Sequence, residues 1–250
     1  MIRIDRLTKR FGDKTAVRDL SLEVPRGELF CFLGPNGAGK TTTIKILTGL
    51  MRPSGGTARI DGIDIRQSPV EVKKRIGYVP DMPYLYERLT AAEFFRFTAD
   101  LYDVPRSTID ARLEEMFGLF SLLDHRNALV RELSHGMRQR LIYAATFLHK
   151  PKVLFIDEPL VGLDPYTIRL IKDLLVAHAR DGMTIFLTTH ILSVAEEIGD
   201  RIGIIADGRL QALDTLQGLR KCHGGTDLES IFLRLTRRPD AGNPMPGASR

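Results

Sequence analysis

One short segment has the composition and spacing of a phosphate-binding loop. It matches the pattern G-x-x-x-x-G-K-[ST] and consists of Gly34, Pro35, Asn36, Gly37, Ala38, Gly39, Lys40 and Thr41. The glycines let backbone NH groups turn inward toward a phosphate, and a helix predicted to begin near Lys40 adds the positive end of its dipole. Lys40 would reach the terminal phosphates, Thr41 would ligate magnesium, and Thr42 would add another hydroxyl. A glycine-rich turn without a ligand is the alternative, and the loop alone does not separate kinases, GTPases and ATPases.

Two carboxylates and a histidine follow apolar runs further along the chain. Asp157 and Glu158 come directly after the run 153–156, and His190 lies two positions beyond the run 184–188. Parallel sheets bind ligands at the carboxyl ends of their strands. We therefore expect Asp157 to hold magnesium, Glu158 to act as general base on the water that attacks the γ-phosphate, and His190 to donate to that phosphate and orient the water. An acidic surface turn and a structural histidine are the alternatives.

Hydrophobic patterning predicts the elements that would position these residues. Alternating apolar residues in 2–7 and 22–24 predict half-exposed strands, whereas the unbroken runs predict strands covered on both faces, and together they indicate a mixed sheet. Between about 80 and 150 two helical stripes predict the interior of a small helical insert. The stripes consist of Phe94, Phe95, Phe97, Thr98 and Leu101, and of Ile109, Leu113, Met116, Phe117 and Phe120.

Three further predictions concern the carboxyl-terminal part of the chain. The dipeptide Asp207-Gly208 predicts a β-hairpin with a type I′ turn. Apolar residues from Leu228 to Leu235 predict a last amphipathic helix. The segment 237–250 is rich in Pro, Gly, Ala and Ser without periodicity, which predicts disorder.

The overall composition bounds the class of protein. A chain of 250 residues can form one large α/β domain with a small insert. Its two cysteines, Cys31 and Cys222, lack metal-ligand spacing and fit a reducing cytosol, with Cys31 expected in the core. No apolar run approaches the roughly 18 residues of a membrane span, so we expect neither a signal peptide nor a transmembrane helix. The formal net charge of +5 comes without a clustered basic stripe, so no nucleic-acid partner is predicted.

A third motif narrows the possibilities further. Residues 133–140 resemble the LSGGQ signature of ATP-binding cassette (ABC) proteins, and the other motifs follow in that family's order from 1 to about 235. The segments 201–210 and 227–236 are similar to the tails of bacterial ABC-2-type export ATPases. The resemblance implies an α/β P-loop NTPase: an ABC-ATPase core with a mixed sheet and an inserted α-helical subdomain.

The resemblance also implies roles for particular residues. Phe11 would stack on adenine, and 161–164 would be the D-loop. Residues 78–81 would be the Q-loop, with Asp81 as a third magnesium-binding residue beside Thr41 and Asp157. In this family two cassettes meet head to tail, with each ATP between the P-loop of one and the signature of the other. The signature residues that would contact the ATP of the second cassette are Ser134, His135 and Gly136.

The partners and the domain organisation follow from the same resemblance. It implies an ATP-binding subunit that uses ATP and Mg2+, forms a homodimer and powers a separate integral-membrane permease in export, lying peripherally at the cytoplasmic face of the inner (plasma) membrane. The ABC domain would span 1–236, with a core of about 1–80 and 150–220, a helical subdomain of about 81–149 and an extension of 221–236. The face around Asp81, Tyr84, Tyr86 and Phe94 would receive the permease, although these aromatics equally fit a core.

Two positions depart from the family pattern. Asp81 stands at the Q-loop glutamine, and a carboxylate cannot donate a hydrogen bond and adds negative charge near the phosphates. His135 stands at the first signature glycine. Because of these two departures, an alternative function also fits the sequence, that of an ATP-gated binding module with weak or no hydrolysis. A soluble cassette acting on DNA or ribosomes would usually carry a coiled-coil insertion or a second cassette, and a P-loop kinase would lack the signature.

Overall fold

The computed structural model describes residues 1–82, 84–158, 160, 163–224 and 227–236. The predicted disordered tail, 237–250, and Val161 and Gly162 of the predicted D-loop lie outside these residues. The strands are, in chain order, β1 (Ile2–Phe11), β2 (Lys14–Val24), β3 (Leu29–Leu33), β4 (Gly55–Ile60), β5 (Ile63–Asp64), β6 (Ile76–Val79), β7 (Val153–Asp157), β8 (Thr184–Thr189), β9 (Arg201–Ala206) and β10 (Arg209–Asp214). The α-helices are α1 (Lys40–Leu47), α2 (Pro69–Lys73), α3 (Ala91–Leu101), α4 (Arg106–Leu119), α5 (His135–Phe147), α6 (Pro165–Arg180), α7 (Leu192–Ile198), α8 (Leu216–His223) and α9 (Leu228–Thr236).

The strands of the described residues form two sheets. The larger has the order β10-β9-β3-β8-β7-β6, and all of its pairs are parallel except the hairpin of β9 with β10. This confirms the predicted mixed sheet. The half-exposed first strands, however, belong to a separate antiparallel sheet of order β2-β1-β4-β5.

The central strand β3 shows why an unbroken apolar run is needed. Phe30 and Phe32 face a core shared with the antiparallel sheet and α1, whereas Cys31 and Leu33 face a second core shared with the other helices. All of β3 is buried, which confirms the expected burial of Cys31. A polar side chain on either face would be enclosed without water.

Among the described residues between β6 and β7 there are three α-helices and two short 3-10 helices. The second predicted stripe is confirmed, since Ile109, Leu113 and Phe117 of α4 are buried. The first is only partly right, because Leu101 is 63% exposed and Phe97 is 37% exposed. The ring of Phe97 instead packs edge-on against Tyr86, with ring centroids 5.1 Å apart, so the two form a surface pair.

The carboxyl-terminal elements follow the predicted pattern with one addition. Asp207 and Gly208 have φ values of 46° and 76°, as a type I′ turn requires, and helix α9 spans the predicted amphipathic segment. Sequence patterning did not predict α8, whose amino terminus is capped by Thr215. Among the described residues no helix has the length and apolar composition needed to cross a membrane.

Candidate nucleotide-binding site

The phosphate loop joins the end of β3 to the start of α1, and close backbone contacts on both sides fix its path. Gly39 has φ 111°, and a Cβ there would lie 2.4 Å from the carbonyl oxygen of Ala16. A Cβ on Gly34 would lie 2.5 Å from the carbonyl oxygen of Ile205. Neighbouring strands thus press against the loop at two points where only glycine fits.

The side chain of Lys40 is held inside the loop. Its side chain is only 5% exposed, and Nζ donates hydrogen bonds to the carbonyl oxygens of Gly34 at 2.7 Å and Pro35 at 3.3 Å. The same Nζ lies 3.4 Å from Oε1 of Glu158. A buried ammonium requires such partners, and an anionic ligand in the loop would offer it stronger ones.

Asp157 lies at the carboxyl end of β7, at the edge of the sheet where the loop begins. The residue is only 1% exposed. Its Oδ1 accepts hydrogen bonds from the hydroxyl of Thr188 at 2.6 Å and from the hydroxyl of Thr41 at 3.2 Å. Thr41 and Asp157, two of the three residues predicted to hold magnesium, are therefore in direct contact.

Glu158 adopts a left-handed backbone conformation, with φ 51°, immediately after β7. Its backbone NH donates to the carbonyl oxygen of Thr188 at 3.1 Å. Its Oε2 lies 2.8 Å from Nδ1 of His190 and accepts a second hydrogen bond from the backbone NH of that residue at 3.3 Å. The structure therefore brings Lys40, Glu158 and His190 into one connected network, with the His190 side chain 49% exposed.

Asp81 follows β6 and lies within electrostatic reach of the same network. Loss of water around the Asp81 carboxyl raises its pKa, and the negative charges of Asp157 and Glu158 raise it further. His190 and His135 lower the pKa of Asp81. Burial also raises the pKa of Tyr78, and both Asp157 and Asp81 add to that effect. The charges of Asp157 and Glu158 therefore act on Asp81.

The signature segment lies at the start of α5. The hydroxyl of Ser134 accepts a hydrogen bond from the backbone NH of Met137 at 3.3 Å and so caps the helix. Ser134 and His135 are exposed and Gly136 is partly exposed. No hydrogen bond or ion pair of the described residues joins these three to the phosphate loop.

Phe11 ends β1 at a position separate from the acidic network. Its side chain is 47% exposed, and Nζ of Lys9 lies 5.0 Å from its ring centroid. The ring is therefore available for stacking, with a cation on one side.

Comparison with known proteins decides the family. Residues 17–161, more than half of the chain, match the family described as ABC transporter. This chain belongs to the ABC transporter family. This confirms the predicted family and the P-loop NTPase fold. It also supports an ATP-binding ATPase over the alternatives, which were an ATP-gated binding module and a soluble cassette acting on DNA or ribosomes.

Individual relatives agree with this assignment. A fluoroquinolones export ATP-binding protein of Mycobacterium tuberculosis is 41% identical over 217 residues, covering 86% of this chain and 71% of the relative. Human ATP-binding cassette sub-family A member 2 is 38% identical over 248 residues, covering 98% of this chain. The ABC chain spans only 10% of the length of that human protein.

Solved structures show the same fold. The structure of an ATP binding subunit of an ABC transporter has a TM-score of 0.90 and 33% identity, covering 95% of this chain and all of the other. The dimeric structure of an ATP-binding cassette in a post-hydrolysis state, bound to ADP and Pi, has a TM-score of 0.78 and 28% identity. It covers 86% of this chain and 99% of the other.

Two supports of the ABC site were not predicted from the sequence. One is Thr188, whose hydroxyl contacts Asp157, and the other is the hairpin turn, where the NH of Gly208 donates to the carbonyl oxygen of Ala38 at 3.0 Å. Thr188 precedes His190 by two positions, at the carboxyl end of the same strand. Its position in the sequence could therefore have predicted that Thr188 lies at the site. The contact of the turn with the loop depends on strand order, which local patterns do not specify.

Proposed function

We propose that this chain is the ATP-hydrolysing cassette that powers a separate integral-membrane permease, in an export system. The observation that carries the proposal is the contact network that joins Lys40, Thr41, Asp157, Glu158 and His190 at one edge of the sheet. The printed name of the Mycobacterium tuberculosis relative, a fluoroquinolones export protein, supports the export direction.

ATP binding is assigned to the phosphate loop, from Gly34 through Pro35, Asn36, Gly37, Ala38 and Gly39 to Lys40, Thr41 and Thr42. Backbone NH groups of the loop and the amino terminus of α1 surround the β- and γ-phosphates. The phosphates replace the carbonyl oxygens and the Glu158 carboxylate as partners of the Lys40 ammonium. Phe11 stacks on adenine, because its exposed ring offers an apolar face.

Magnesium fits the oxygen ligands that the site provides. Asp157 is a buried carboxylate whose hydrogen-bond partners are the hydroxyls of Thr41 and Thr188, and the Thr41 hydroxyl lies beside it. Mg2+ needs only one or two protein oxygens when phosphates and water complete its shell. Asp81 is a further carboxylate of this site, and the bound ion would neutralise charge on the phosphates.

Hydrolysis is assigned to Glu158 and His190. While Lys40 pairs with Glu158, that carboxylate is partly neutralised. Phosphates that draw the ammonium away leave Oε1 free to accept a proton from the attacking water. The backbone NH of His190 donates to Oε2 and holds it in place. The imidazole of His190 donates to the γ-phosphate and orients the water that Glu158 deprotonates.

The exposed signature residues Ser134, His135 and Gly136 are assigned to the ATP of a second copy of this chain. Ser134 caps α5, so its hydroxyl and the first NH groups of the helix can bind a phosphate from outside. The solved cassette that resembles this chain and holds ADP and Pi is described as dimeric, which supports a homodimer.

A surface groove is the proposed docking site for the permease. It encloses about 400 Å³ between β6 and the inserted helices, and its lining includes Lys45, Tyr84 and Phe94. Tyr84 is 91% exposed and Tyr86 is 60% exposed, so these two aromatics are not core residues, whereas Phe94 is partly buried and packs against the core. An exposed apolar surface of this kind is typical of protein interaction sites.

Docking at this groove would place the chain at the cytoplasmic face of the inner (plasma) membrane, peripherally, with the helical subdomain of about 81–149 toward the permease. The core would be about 1–80 and 150–220 and the extension 221–236. We propose no nucleic-acid partner.

Turnover by the purified chain tests this function. The wild type should release phosphate from ATP in the presence of Mg2+, and Glu158→Gln should lower the rate by about 10²–10⁴-fold, the usual contribution of a general base. Glu196→Gln, an exposed acid on α7, is the matched control and should keep the wild-type rate. A Glu158→Gln chain with wild-type turnover would exclude the assigned base.

Copurification from membranes tests the docking site separately. Tyr84→Glu should reduce recovery of the permease while leaving turnover of the isolated chain intact. Leu233→Glu, at a position 50% exposed on α9, is the control. Equal recovery with both variants would place the permease elsewhere.

A further inference from the structure

A second cavity, of about 420 Å³, lies at the edge of the larger sheet opposite the phosphate loop. Lys152 and Met183, which directly precede β7 and β8, are among its lining residues. Helix α4 forms another wall, and Arg26 closes one side before β3. The cavity thus joins the inserted helices to the sheet and shares no lining residue with the nucleotide site.

The floor of this cavity is apolar and partly flat. Met116, Leu119 and Leu148 contribute aliphatic surface. The rings of Phe147 and His178 stack at 4.6 Å with an interplanar angle of 23°. Burial lowers the pKa of His178, with nearby Asp181 opposing the shift, so the neutral imidazole extends the flat surface at neutral pH. Such a floor favours an aromatic or aliphatic ligand body.

Four cationic side chains line the rim of the cavity, and two of them already have hydrogen-bond or ion-pair partners in the protein. Nζ of Lys152 already lies 2.9 Å from Asp61, and Arg112 donates to the carbonyl oxygen of Leu148. Arg26 and Lys150 have no ion pair among the described residues. These two cations are therefore free to meet an anionic group on a ligand.

Two carboxylates, Glu115 and Asp181, also line the cavity and limit the ligand's charge. With four cationic side chains present, the lining has a formal excess of two positive charges. A triphosphate carries more negative charge than these two positive charges can neutralise. It would also lie close to the negative charges of Glu115 and Asp181. A single carboxylate or sulfonate on an apolar body stays within this excess of positive charge and fits the apolar floor.

We propose that this cavity binds an amphipathic monoanion, of the aryl or acyl carboxylate or sulfonate class, with its charge between Arg26 and Lys150 and its body on Phe147 and His178. The ligand would contact α4 of the inserted helices and the end of α6 together. The site depends on neither magnesium nor nucleotide, so its occupancy can be measured without turnover.

The test uses 8-anilinonaphthalene-1-sulfonate as the probe and the full chain. Its fluorescence should titrate to saturation at one site. The double variant Arg26→Gln with Lys150→Gln should raise the Kd at least tenfold, and each single variant should raise it less. Lys45→Gln, which removes a cation from the other groove, is the matched control and should leave the Kd unchanged.

Three results would overturn the proposal. The first is an unchanged Kd for the sulfonate in the double variant. The second is a Kd that Lys45→Gln raises as much as the double variant does. The third is a wild-type chain that binds the uncharged probe N-phenyl-1-naphthylamine as tightly as the sulfonate. Far-ultraviolet circular dichroism checks that each variant is folded. A folded double variant with weaker binding of the sulfonate and unchanged binding of the uncharged probe supports the proposal most directly.

Discussion

The substitution Thr188→Val removes one hydroxyl and keeps the shape of the side chain. Thr188 is fully buried, and its hydroxyl donates at 2.6 Å to Asp157, the carboxylate assigned to magnesium. Valine has the same branching and suits a β-strand. The change therefore leaves the packing of β8 in place and removes a hydrogen bond at the site.

The size of the effect follows from the charge of the acceptor. A hydrogen bond to a charged group contributes about 1.5–3 kcal/mol, and a buried acceptor without its donor is costly. The remaining contact, from Thr41 at 3.2 Å, is longer. If this free energy orients the carboxylate, magnesium-dependent ATP affinity should fall by about 10- to 100-fold, because 1.4 kcal/mol corresponds to a factor of ten.

Calorimetric titration with ATP, with and without Mg2+, measures this effect. Thr184→Val is the matched control on the same strand. Its hydroxyl donates to the carbonyl oxygen of Pro25 at 3.2 Å and accepts from the NH of Gly27 at 3.1 Å, at the end of β8 far from Asp157. Both variants should lower the free energy of unfolding, but only Thr188→Val should reduce the gain in affinity that Mg2+ provides. Equal magnesium dependence in the two variants would refute the role given to Thr188.

Three further predictions concern the loop, the adenine and pH. Gly39→Ala should abolish ATP binding, because its Cβ would meet a carbonyl oxygen at 2.4 Å; Gly62→Ala, with φ 79° and open space around it, should retain binding in the same filter assay. Phe11→Ala should weaken ATP binding by about 1–3 kcal/mol, as expected for loss of a stacked base, and leave tripolyphosphate binding unchanged in competition assays. Asp61→Asn should lower the free energy of unfolding by about 1 kcal/mol at neutral pH. Hydrogen bonds and charge from Lys152, then Arg75, lower the pKa of Asp61, so this stabilisation is present above the unfolded pKa of about 3.9 and is lost as pH falls through the folded value. Urea titrations between pH 8 and 3.5 should show the difference narrowing only below about pH 4.

Much of the catalytic edge could be predicted because its chemistry depends on local sequence. The loop residues and the pair Asp157-Glu158 occupy fixed positions relative to buried strands, and parallel strands place their carboxyl ends together. The type I′ turn at Asp207 and Gly208 was equally local, since the turn needs two residues with positive φ.

What the sequence did not reveal depends on tertiary neighbours. The alternating pattern of β1 predicted a half-exposed strand, but not that it pairs in a sheet separate from β3. Leu101 lies on the predicted apolar stripe but is exposed. Helical periodicity identifies the apolar face of a helix, but it does not show whether another element packs against that face. Arg26 and Lys150, the cations of the second cavity that have no ion pair within the described part of the chain, likewise come from segments far apart in the sequence.

ATP-dependent assembly tests the central claim most directly, because it needs the phosphate loop, the signature and a stalled base together. Size-exclusion chromatography with light scattering should show Glu158→Gln shifting from monomer to dimer on addition of ATP and Mg2+. The combined variant Glu158→Gln with Ser134→Arg should remain monomeric while still binding ATP. A Glu158→Gln chain that binds ATP and stays monomeric, or a dimer that Ser134→Arg leaves intact, would contradict an ATP site completed by a second copy of the chain.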